Sequence, residues 1–186
     1  METKIFNDKK IRIRKISKED LKNVKRFQDY INSLVEEKAM IKVNRRVSLN
    51  EEVEWLKEKL KSQKEHKEVN LVAEDKDKII AIAHIRLDWG RQSHVGNFGI
   101  SVRKGYRNIG LGTYLTKELI KLAKKELKPK PKIIRLSAFS TNKPAITFYK
   151  KLGFKKVAKI PKQVNFQGKL LDETIMLLNL SKKERK

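Results

Sequence analysis

The stretch Arg107-Asn108-Ile109-Gly110-Leu111-Gly112 separates a strand-like run that ends at Val102 from an amphipathic run that starts at Leu111. Glycines at the start of a helix let main-chain N–H groups approach an anion closely, and the helix N-terminus carries a partial positive charge. The stretch therefore predicts a strand–loop–helix unit that holds a phosphate or a pyrophosphate.

Other glycine-rich phosphate motifs do not match this loop. A dinucleotide-binding fingerprint needs a third glycine and an acidic residue about 20 positions further on, whereas residues 127–132 read Leu-Lys-Pro-Lys-Pro-Lys. A P-loop needs Gly-Lys-Ser/Thr, which this sequence lacks. A glycine pair with a purely structural role at the helix start is the remaining alternative.

The composition limits the class of protein. A length of 186 residues suits a single domain, and 39% hydrophobic residues suffice for a globular core. The absence of cysteine excludes disulfides and thiolate metal sites, and His66, His84 and His94 lack metal-site spacing, so no metal is expected. No apolar run approaches the ~20 residues that cross a bilayer, and the N-terminus lacks a signal-peptide core. The sequence predicts a cytoplasmic protein without membrane contact.

The net charge of +24 is unevenly distributed. Residues 121–162 contain 14 lysines and arginines and one acidic residue, Glu126, so +13 of the net charge falls in this segment. Such a segment attracts a polyanion, whether nucleic acid, an acidic protein or a phosphorylated cofactor. A solvated lysine-rich face explains the same counts, and the sequence leaves open whether the protein binds nucleic acid directly.

Strand and helix patterns alternate along the chain, which predicts a mixed α/β domain. Period-two alternation predicts a strand over residues 11–16, and strand-like runs predict further strands over residues 69–74, 79–87, 94–102, 133–140, 157–160 and 172–180. Three- and four-residue spacing predicts helices over residues 17–35, 48–60, 111–127 and 143–152. Ser48 and Glu51 form a capping box, and Gly153 is predicted as a left-handed helix stop. Residues 181–186 are predicted to be a basic C-terminal tail.

A second motif, Asn142-x-Pro144-Ala145-Ile146-x-Phe148-Tyr149-x-x-Leu152-Gly153-Phe154, follows the glycine loop. A third pattern, Gly168-x-x-x-Asp172-Glu173-x-x-Met176, lies near the C-terminus and leads into the last predicted strand. In this order and at this separation, the motifs resemble the GNAT superfamily of acetyl-CoA-dependent N-acetyltransferases. The resemblance extends over residues 11–180.

The resemblance implies one N-acetyltransferase domain over residues 1–180. Its fold is expected to be a mostly antiparallel mixed sheet of about six to seven strands with helices on both faces. Acetyl-CoA is the expected acyl donor, and an amine attacks the thioester directly. Two other hypotheses stay open: a GNAT-fold module that binds acyl-CoA with weak catalysis, and a basic protein associated with nucleic acid.

The resemblance also assigns donor-site residues. In the family, the main-chain N–H groups of the glycine loop wrap the coenzyme A pyrophosphate, and the strand before the loop holds the pantetheine arm. A main-chain N–H of that strand polarises the thioester carbonyl. The corresponding residues here are Ile100, Ser101, Val102, Arg107, Asn108, Ile109, Gly110, Leu111, Gly112, Thr113 and Asn142.

Asn142 and Tyr149 carry the roles that the second motif implies. The counterpart of Asn142 binds the pantetheine amides, and the counterpart of Tyr149 is the catalytic acid that protonates the departing thiolate. A phenol suits this role because its normal pKa near ~10 keeps it protonated at neutral pH. A helix cap for Asn142 and a packing role for Tyr149 are the structural alternatives.

The general base is not identified by the sequence. Related enzymes place a glutamate on the central strand, where this chain has Asn97, or five residues before the motif asparagine, where it has Ser137. His84, His94, Glu74 or a water chain are the candidates that remain.

The acceptor is expected to reach the site between residues 40–47 and the hairpin 157–172. Basic residues in these segments favour an amine acceptor that is acidic or associated with nucleic acid. The expectation covers a protein N-terminus, a lysine or a small amine, and the sequence leaves open whether the protein forms a homodimer. The basic residues are Lys42, Arg45, Arg46, Lys159 and Lys162.

Overall fold

The computed structural model describes residues 2–181, which form eight strands and four α-helices with two short 3₁₀ helices. The strands are β1 (Glu2–Phe6), β2 (Lys9–Arg14), β3 (Glu68–Asp75), β4 (Lys78–Leu87), β5 (Val95–Val102), β6 (Ile133–Phe139), β7 (Lys155–Phe166) and β8 (Lys169–Asn179). The helices are α1 (Lys25–Glu36), α2 (Leu49–Lys64), α3 (Leu111–Glu126) and α4 (Lys143–Lys151). The 3₁₀ helices are Lys18–Lys22 and Gly90–Gln92.

All eight strands belong to one sheet, in the order β1-β2-β3-β4-β5-β6-β8-β7. Every neighbouring pair is antiparallel except β5 and β6, which run parallel because α3 carries the chain back across the sheet. The predicted mixed, mostly antiparallel sheet is confirmed, with one strand more than expected.

The additional strand is β1, whose exposed residues show no clear hydrophobic alternation. It pairs with β2 through a turn at Asn7 and Asp8, which have φ values of 45° and 61°. Two consecutive left-handed residues are typical of a type I′ hairpin turn. The Asn-Asp pair was therefore the signal that could have revealed this strand.

Helices cover both faces of the sheet, as expected. On one face, α1 and α2 bury a cluster that comprises Ile16, Val24, Phe27, Tyr30, Leu34, Leu56, Val72, Ile79 and Ile82. On the opposite face, α3 and α4 cover a larger core that includes Ile80, Ala83, Ile85, Phe98, Leu115, Leu119, Ile134, Leu136 and Met176. The central strands are buried on both sides, which explains the continuous apolar runs of β3 and β4.

The helix predicted from residue 17 is interrupted. A 3₁₀ turn over Lys18–Lys22 ends at Asn23, and α1 begins only at Lys25. In this turn the buried side chain of Asp20 accepts from the Ser17 N–H at 2.8 Å and pairs with Arg14 at 2.6 Å. The predicted capping box of α2 is confirmed, with the Ser48 hydroxyl accepting from the Glu51 N–H.

The last hairpin is longer than predicted because β7 is the edge strand of the sheet. Almost all of its side chains are exposed, so β7 lacks the alternation that marks a half-buried strand. The predicted left-handed stop at Gly153 is confirmed by a φ of 91°. The predicted tail comprises residues 181–186, and residues 182–186 lie outside the described part of the chain. Between residues 2 and 181, no helix is long and apolar enough to cross a membrane.

Candidate functional site

The predicted anion loop leads directly into α3. Gly110 is the N-cap of this 16-residue helix and has a φ of 86°. The first main-chain bond of α3 runs from the Tyr114 N–H to the Gly110 carbonyl at 3.1 Å. The N–H groups of Leu111, Gly112 and Thr113 precede this bond and have no helical carbonyl to receive them. They form a donor set at the positive end of the helix dipole.

The loop alternates in handedness before the helix starts. Asn108 has a φ of 63° and Gly110 one of 86°, with Ile109 between them in the ordinary region. Such alternation points successive N–H groups into one concavity, which is an anion-binding arrangement. A Cβ built at Gly110 would have only the Phe6 ring near it, at 3.9 Å. Backbone conformation, rather than protein packing, therefore requires glycine at this position.

The Arg107 side chain fastens the loop to the rest of the protein. Its Nε donates to the Val102 carbonyl at 2.8 Å, and its guanidinium forms an ion pair with Glu37 at the end of α1. Arg107 therefore couples the loop to α1 and presents its main chain, rather than its guanidinium, to an anion.

The strands β5 and β6 separate next to this loop. Their pairing covers only Val95–Asn97 on β5 and Ile133–Arg135 on β6, so the two strands diverge beyond these residues. On its other side, β5 stays paired with β4 up to Val102. The β5 edge that faces β6 from Phe98 onward therefore has main-chain groups that another strand-like chain could pair with.

The residues predicted to hold pantetheine lie on this diverging part of β5. The side chains of Ile100 and Val102 pack against the core under α3 and α4, as ordinary core residues do. Ser101 faces α1, where the buried Tyr30 hydroxyl lies 2.7 Å from the Ser101 carbonyl and 2.8 Å from its Oγ. No local pattern marks Tyr30 as a site residue, because its role depends on where α1 packs on the sheet.

Tyr149 lies on α4 and is 9% exposed. Its ring packs edge-on against Phe98 of the diverging strand, with ring centroids 6.1 Å apart. Burial raises the pKa of Tyr149 to about 12. The phenol therefore stays protonated and able to donate at any pH near neutrality.

Asn142 caps α4, and its Oδ1 accepts from the Ala145 N–H at 3.2 Å. Asn142 therefore does act as a helix cap, which was the structural alternative to a binding role. The cap uses only Oδ1, so the carboxamide nitrogen is still a donor that a ligand can use.

Among the candidate bases, only His84 reaches the diverging strand. It pairs with Gly99 of β5, and a Cβ on Gly99 would lie 2.5 Å from the imidazole Cε1. Burial, together with the positive charges of Lys59 and Arg86, lowers the pKa of His84 to about 3. A group with so low a pKa is a weak proton acceptor at neutral pH.

The other two candidates lie away from the diverging part of β5. His94 precedes β5 at the end that pairs with β6, about 16 Å along the strand from Gly99. Glu74 is fully buried and receives Arg12, Arg14 and Arg26 at 2.6–2.8 Å. Burial alone would raise the pKa of Glu74, but hydrogen bonds from these arginines outweigh it and hold the pKa below its usual value. Glu74 is therefore a structural anion.

Asn97 takes part in a polar cluster at the point where β5 and β6 separate. Its Oδ1 accepts from Arg135 Nε at 3.0 Å, and Arg135 also pairs with Asp88 at 2.7 Å. The Arg135 guanidinium thus binds both Asn97 and Asp88, and its positive charge compensates that of Asp88. This cluster offers no unpaired carboxylate to serve as a base.

A cavity of about 390 Å³ lies between the α1–α2 connection and the β7–β8 hairpin. The two segments predicted to flank the acceptor entrance therefore meet in the folded protein. Lys38, Lys42, Asn44, Asn165 and Gln167 supply polar groups to the cavity. Its apolar lining consists of Val35, Ala39, Ile41, Val43, Phe139, Val164 and Phe166.

Ion pairs reduce the positive charge at this entrance. Arg45 pairs with Glu51 at 2.5 Å, and Arg46 pairs with Glu36. Lys159 pairs with Asp172 at 2.6 Å, and Lys42 lies 3.8 Å from Glu173. Four of the five cations that suggested an acidic acceptor thus have a carboxylate partner. The case for an acidic acceptor is correspondingly weaker.

A second cavity, of about 550 Å³, lies between α4 and the β7–β8 hairpin. Lys143, Lys150, Lys156 and Lys159 line it, so part of the basic segment 121–162 converges there. The other cations of this segment lie on α3, on β6, on their connection, and at other positions of α4 and β7. The segment therefore does not form one continuous basic face.

Comparisons with known proteins all point to acetyltransferases. A sequence profile of the Acetyltransferase (GNAT) family matches residues 34–154. The L-amino acid N-acetyltransferase AaaT of Escherichia coli (strain K12) is 37% identical over 76 residues, which are 39% of this chain and 46% of that protein. An N-alpha-acetyltransferase of Sulfurisphaera tokodaii is 31% identical over 105 residues, which are 50% of this chain and 60% of that protein. The chain thus spans about half the length of these curated relatives.

Solved structures share the fold at lower sequence identity. The structure of yncA from Salmonella typhimurium with its cofactor acetyl-CoA superposes with a TM-score of 0.76 at 21% identity. The match covers 94% of this chain and 96% of that chain. A likeness at this identity establishes the architecture.

Proposed function

This chain belongs to the GNAT acetyltransferase family, and we propose that it moves the acetyl group of acetyl-CoA to a primary amine. The amine nitrogen attacks the thioester carbonyl directly, without an acyl-enzyme intermediate. The observation that carries this proposal is the donor set at the start of α3 beside the unpaired edge of β5. One domain over residues 1–180 supplies both parts.

The donor fits these elements by its chemistry. The pyrophosphate is an anion that suits the N–H groups of Leu111, Gly112 and Thr113 at the helix dipole. The pantetheine arm carries two amides, which suit the main-chain groups of β5 from Phe98 to Val102. The carboxamide nitrogen of Asn142 is a further donor for those amides.

The chemical step then needs stabilisation of charge at two atoms. A main-chain N–H of the diverging part of β5 stabilises the oxyanion that forms on the thioester carbonyl. Tyr149 gives its phenolic proton to the thiolate of coenzyme A as the C–S bond breaks. The position of the phenol ring, buried against Phe98 of the diverging strand, supports this role.

The acceptor is an α-amine. The cavity at the α1–α2 connection has both apolar and polar lining groups and the volume of a small molecule or one terminal residue. Lys38 at its edge suits the carboxylate of a free amino acid. The two curated relatives are named for acetylation of L-amino acids and of N-terminal α-amines, which is consistent with this class.

Two measurements test the proposal. Calorimetry should show acetyl-CoA binding at micromolar concentrations, and a thiol-release assay should show turnover with an amine panel. The panel contains free amino acids, peptides with apolar or charged first residues, N-terminally blocked lysine peptides and polyamines. Turnover should be highest with α-amines. Absence of acetyl-CoA binding would remove the proposal, and a preference for polyamines would remove the acceptor assignment.

Binding of a nucleic acid is a second candidate function, favoured by the four lysines that line the cavity beside α4. Such binding would weaken steeply with salt, because each phosphate contact releases counterions. Titration of a short RNA duplex at two salt concentrations tests it. The double substitution Lys150→Glu and Lys156→Glu should abolish binding, and a salt-independent affinity would count against it.

A further inference from the structure

The acceptor-facing side of the sheet carries a carboxylate next to the acceptor cavity that the donor site does not use. Glu173 lies on β8, is 9% exposed, and pairs in register with Phe139 of β6 and Ile160 of β7. Residues alternate between the two faces of a strand. The neighbouring Thr174 bonds to Ser140 and lines the cavity beside α4. Glu173 therefore faces the opposite side, toward the α1–α2 connection and the acceptor cavity.

From this position we infer that Glu173 binds the ammonium group of the acceptor amine and removes its proton. The inference rests on the proposed N-acetyltransferase function and names a residue for a step which that function leaves open. A primary amine is mostly protonated at neutral pH, so its nitrogen lone pair needs a proton acceptor before it can attack.

The pairing register brings Glu173 close to the diverging strands. The part of β6 that separates from β5 begins after Arg135 and ends at Phe139. Glu173 is the direct partner of Phe139, and directly opposed Cβ atoms lie about 4.5–5.5 Å apart. Phe139 itself lines the acceptor cavity. The carboxylate thus lies one side chain away from the space that an acceptor enters.

A loosely held ammonium group already lies beside this carboxylate. Lys42 Nζ is 3.8 Å from Glu173 Oε1, and the lysine side chain is 80% exposed whereas the glutamate side chain is 12% exposed. A nearly buried carboxylate is costly without a positive partner. The ammonium group of an acceptor can replace that of Lys42, because the exposed lysine gives up little by returning to solvent.

The surroundings of Glu173 leave its charge otherwise uncompensated. Phe139 on β6 and Ile160 on β7 are its register partners, and neither carries a charge. Lys42, from the α1–α2 connection, is its ion-pair partner within residues 2–181. By contrast, Asp172 next to it pairs with Lys159 at 2.6 Å and accepts from the Lys162 N–H at 3.0 Å.

The step balances in protons and electrons. The ammonium group passes one proton to the Glu173 carboxylate, and the freed lone pair forms the C–N bond at the thioester carbonyl. The C–S electron pair leaves with sulfur, and the thiolate receives a proton from Tyr149. The second nitrogen proton passes to solvent as the amide forms, water reprotonates Tyr149, and Glu173 releases its proton to solvent. The products are the acetylated amine, coenzyme A and one net proton.

The test compares Glu173→Gln, Glu173→Asp and the control Asp172→Asn, which removes the adjacent carboxylate. For each protein, kcat and KM for the best α-amine are measured between pH 6 and about 9.5, where the amine becomes neutral. Acetyl-CoA affinity and the unfolding transition are measured alongside. In Glu173→Gln, kcat/KM should fall by about 100-fold or more at pH 7. Its pH profile should move to higher pH, because only amine that is already neutral can react.

Glu173→Asp should recover part of the lost activity, and Asp172→Asn should keep the profile of the unmodified protein. Acetyl-CoA affinity should be unchanged in all three. An unaltered pH profile in both Glu173 variants would overturn the inference, including when kcat falls through a structural effect. If the unmodified protein neither binds acetyl-CoA nor acetylates an amine, the proposed function itself fails.

Discussion

The buried hydroxyl of Tyr30 on α1 lies 2.7 Å from the main-chain carbonyl of Ser101 on β5. When the phenol donates to this carbonyl, the Ser101 hydroxyl donates back to the phenol oxygen at 2.8 Å. Tyr30 is 1% exposed, so its hydroxyl has no water as a substitute partner, whereas Ser101 is half-buried. This pair fixes the central strand to α1 immediately before the chain enters the anion loop.

Removing the Tyr30 hydroxyl should weaken both the fold and donor binding. Tyr30→Phe leaves the half-buried Ser101 carbonyl and hydroxyl without their partner, which should lower the free energy of unfolding by about 0.5–1.5 kcal/mol. Denaturant unfolding measures this loss, and acetyl-CoA affinity should fall with it. Tyr106→Phe is the matched control, because that hydroxyl bonds to Asp75 in a part-buried site. An equal loss in both variants would contradict the special role of Tyr30.

Alanine at Gly110 should cost more donor affinity than alanine at Gly105. The two glycines have φ values of 86° and 87°, and neither has a protein atom within 3.8 Å of a built Cβ. Left-handed backbone should therefore cost each variant about 1–2 kcal/mol of stability. Only Gly110→Ala places a methyl group beside the start of α3. Calorimetry should show at least about tenfold weaker acetyl-CoA binding for Gly110→Ala alone.

Loss of the Tyr149 hydroxyl should slow the chemical step without affecting donor binding. Tyr149→Phe keeps the ring that packs on Phe98. General-acid catalysis is typically worth 10²–10⁴-fold, and we expect about 10²-fold in kcat because a thiolate is a good leaving group. Steady-state kinetics measure kcat, and calorimetry checks that acetyl-CoA affinity stays the same. An unchanged kcat would assign Tyr149 to packing.

Two adjacent glutamates of α2 should have opposite effects on stability as pH changes. Burial raises the pKa of Glu52 to about 7, whereas hydrogen bonds from Arg45 and from the Ser48 main chain lower the pKa of Glu51 to about 2. Because the pKa of Glu52 is raised, its contribution to folding stability is fully present below about pH 4.5 and is lost as pH rises toward 7. A lowered pKa contributes above about pH 4.5, and its contribution is lost as pH falls toward 2.

Glu52→Gln should therefore stabilise the protein by about 1–2 kcal/mol at pH 8 and have little effect at pH 4. Glu51→Gln should destabilise it at pH 8, because it removes the capping carboxylate and the partner of Arg45. Urea unfolding at the two pH values measures both variants. The same sign of effect at pH 8 for both would contradict the assigned environments.

Local sequence signals were sufficient where the chemistry is local. The Ser48–Glu51 capping box, the left-handed Gly153 and the glycine start of α3 each depend on residues within four positions of one another. Local patterns failed where the position in the sheet decides. β7 is the edge strand, so its side chains are almost all exposed and lack the alternation of a half-buried strand.

The sequence by itself determined the donor side of this protein. The loop Arg107–Gly112 and the motif around Asn142 and Tyr149 are each a continuous stretch of sequence. Their residues and their separation therefore predict both the fold family and the donor's anionic group. The acceptor side was decided only by the tertiary structure. Its cavity joins residues 35–44 to residues 164–168, and Glu173 becomes relevant only through its register with Phe139. Residues more than 100 positions apart meet there because sheet pairing and helix packing, rather than neighbouring residues, fix their positions.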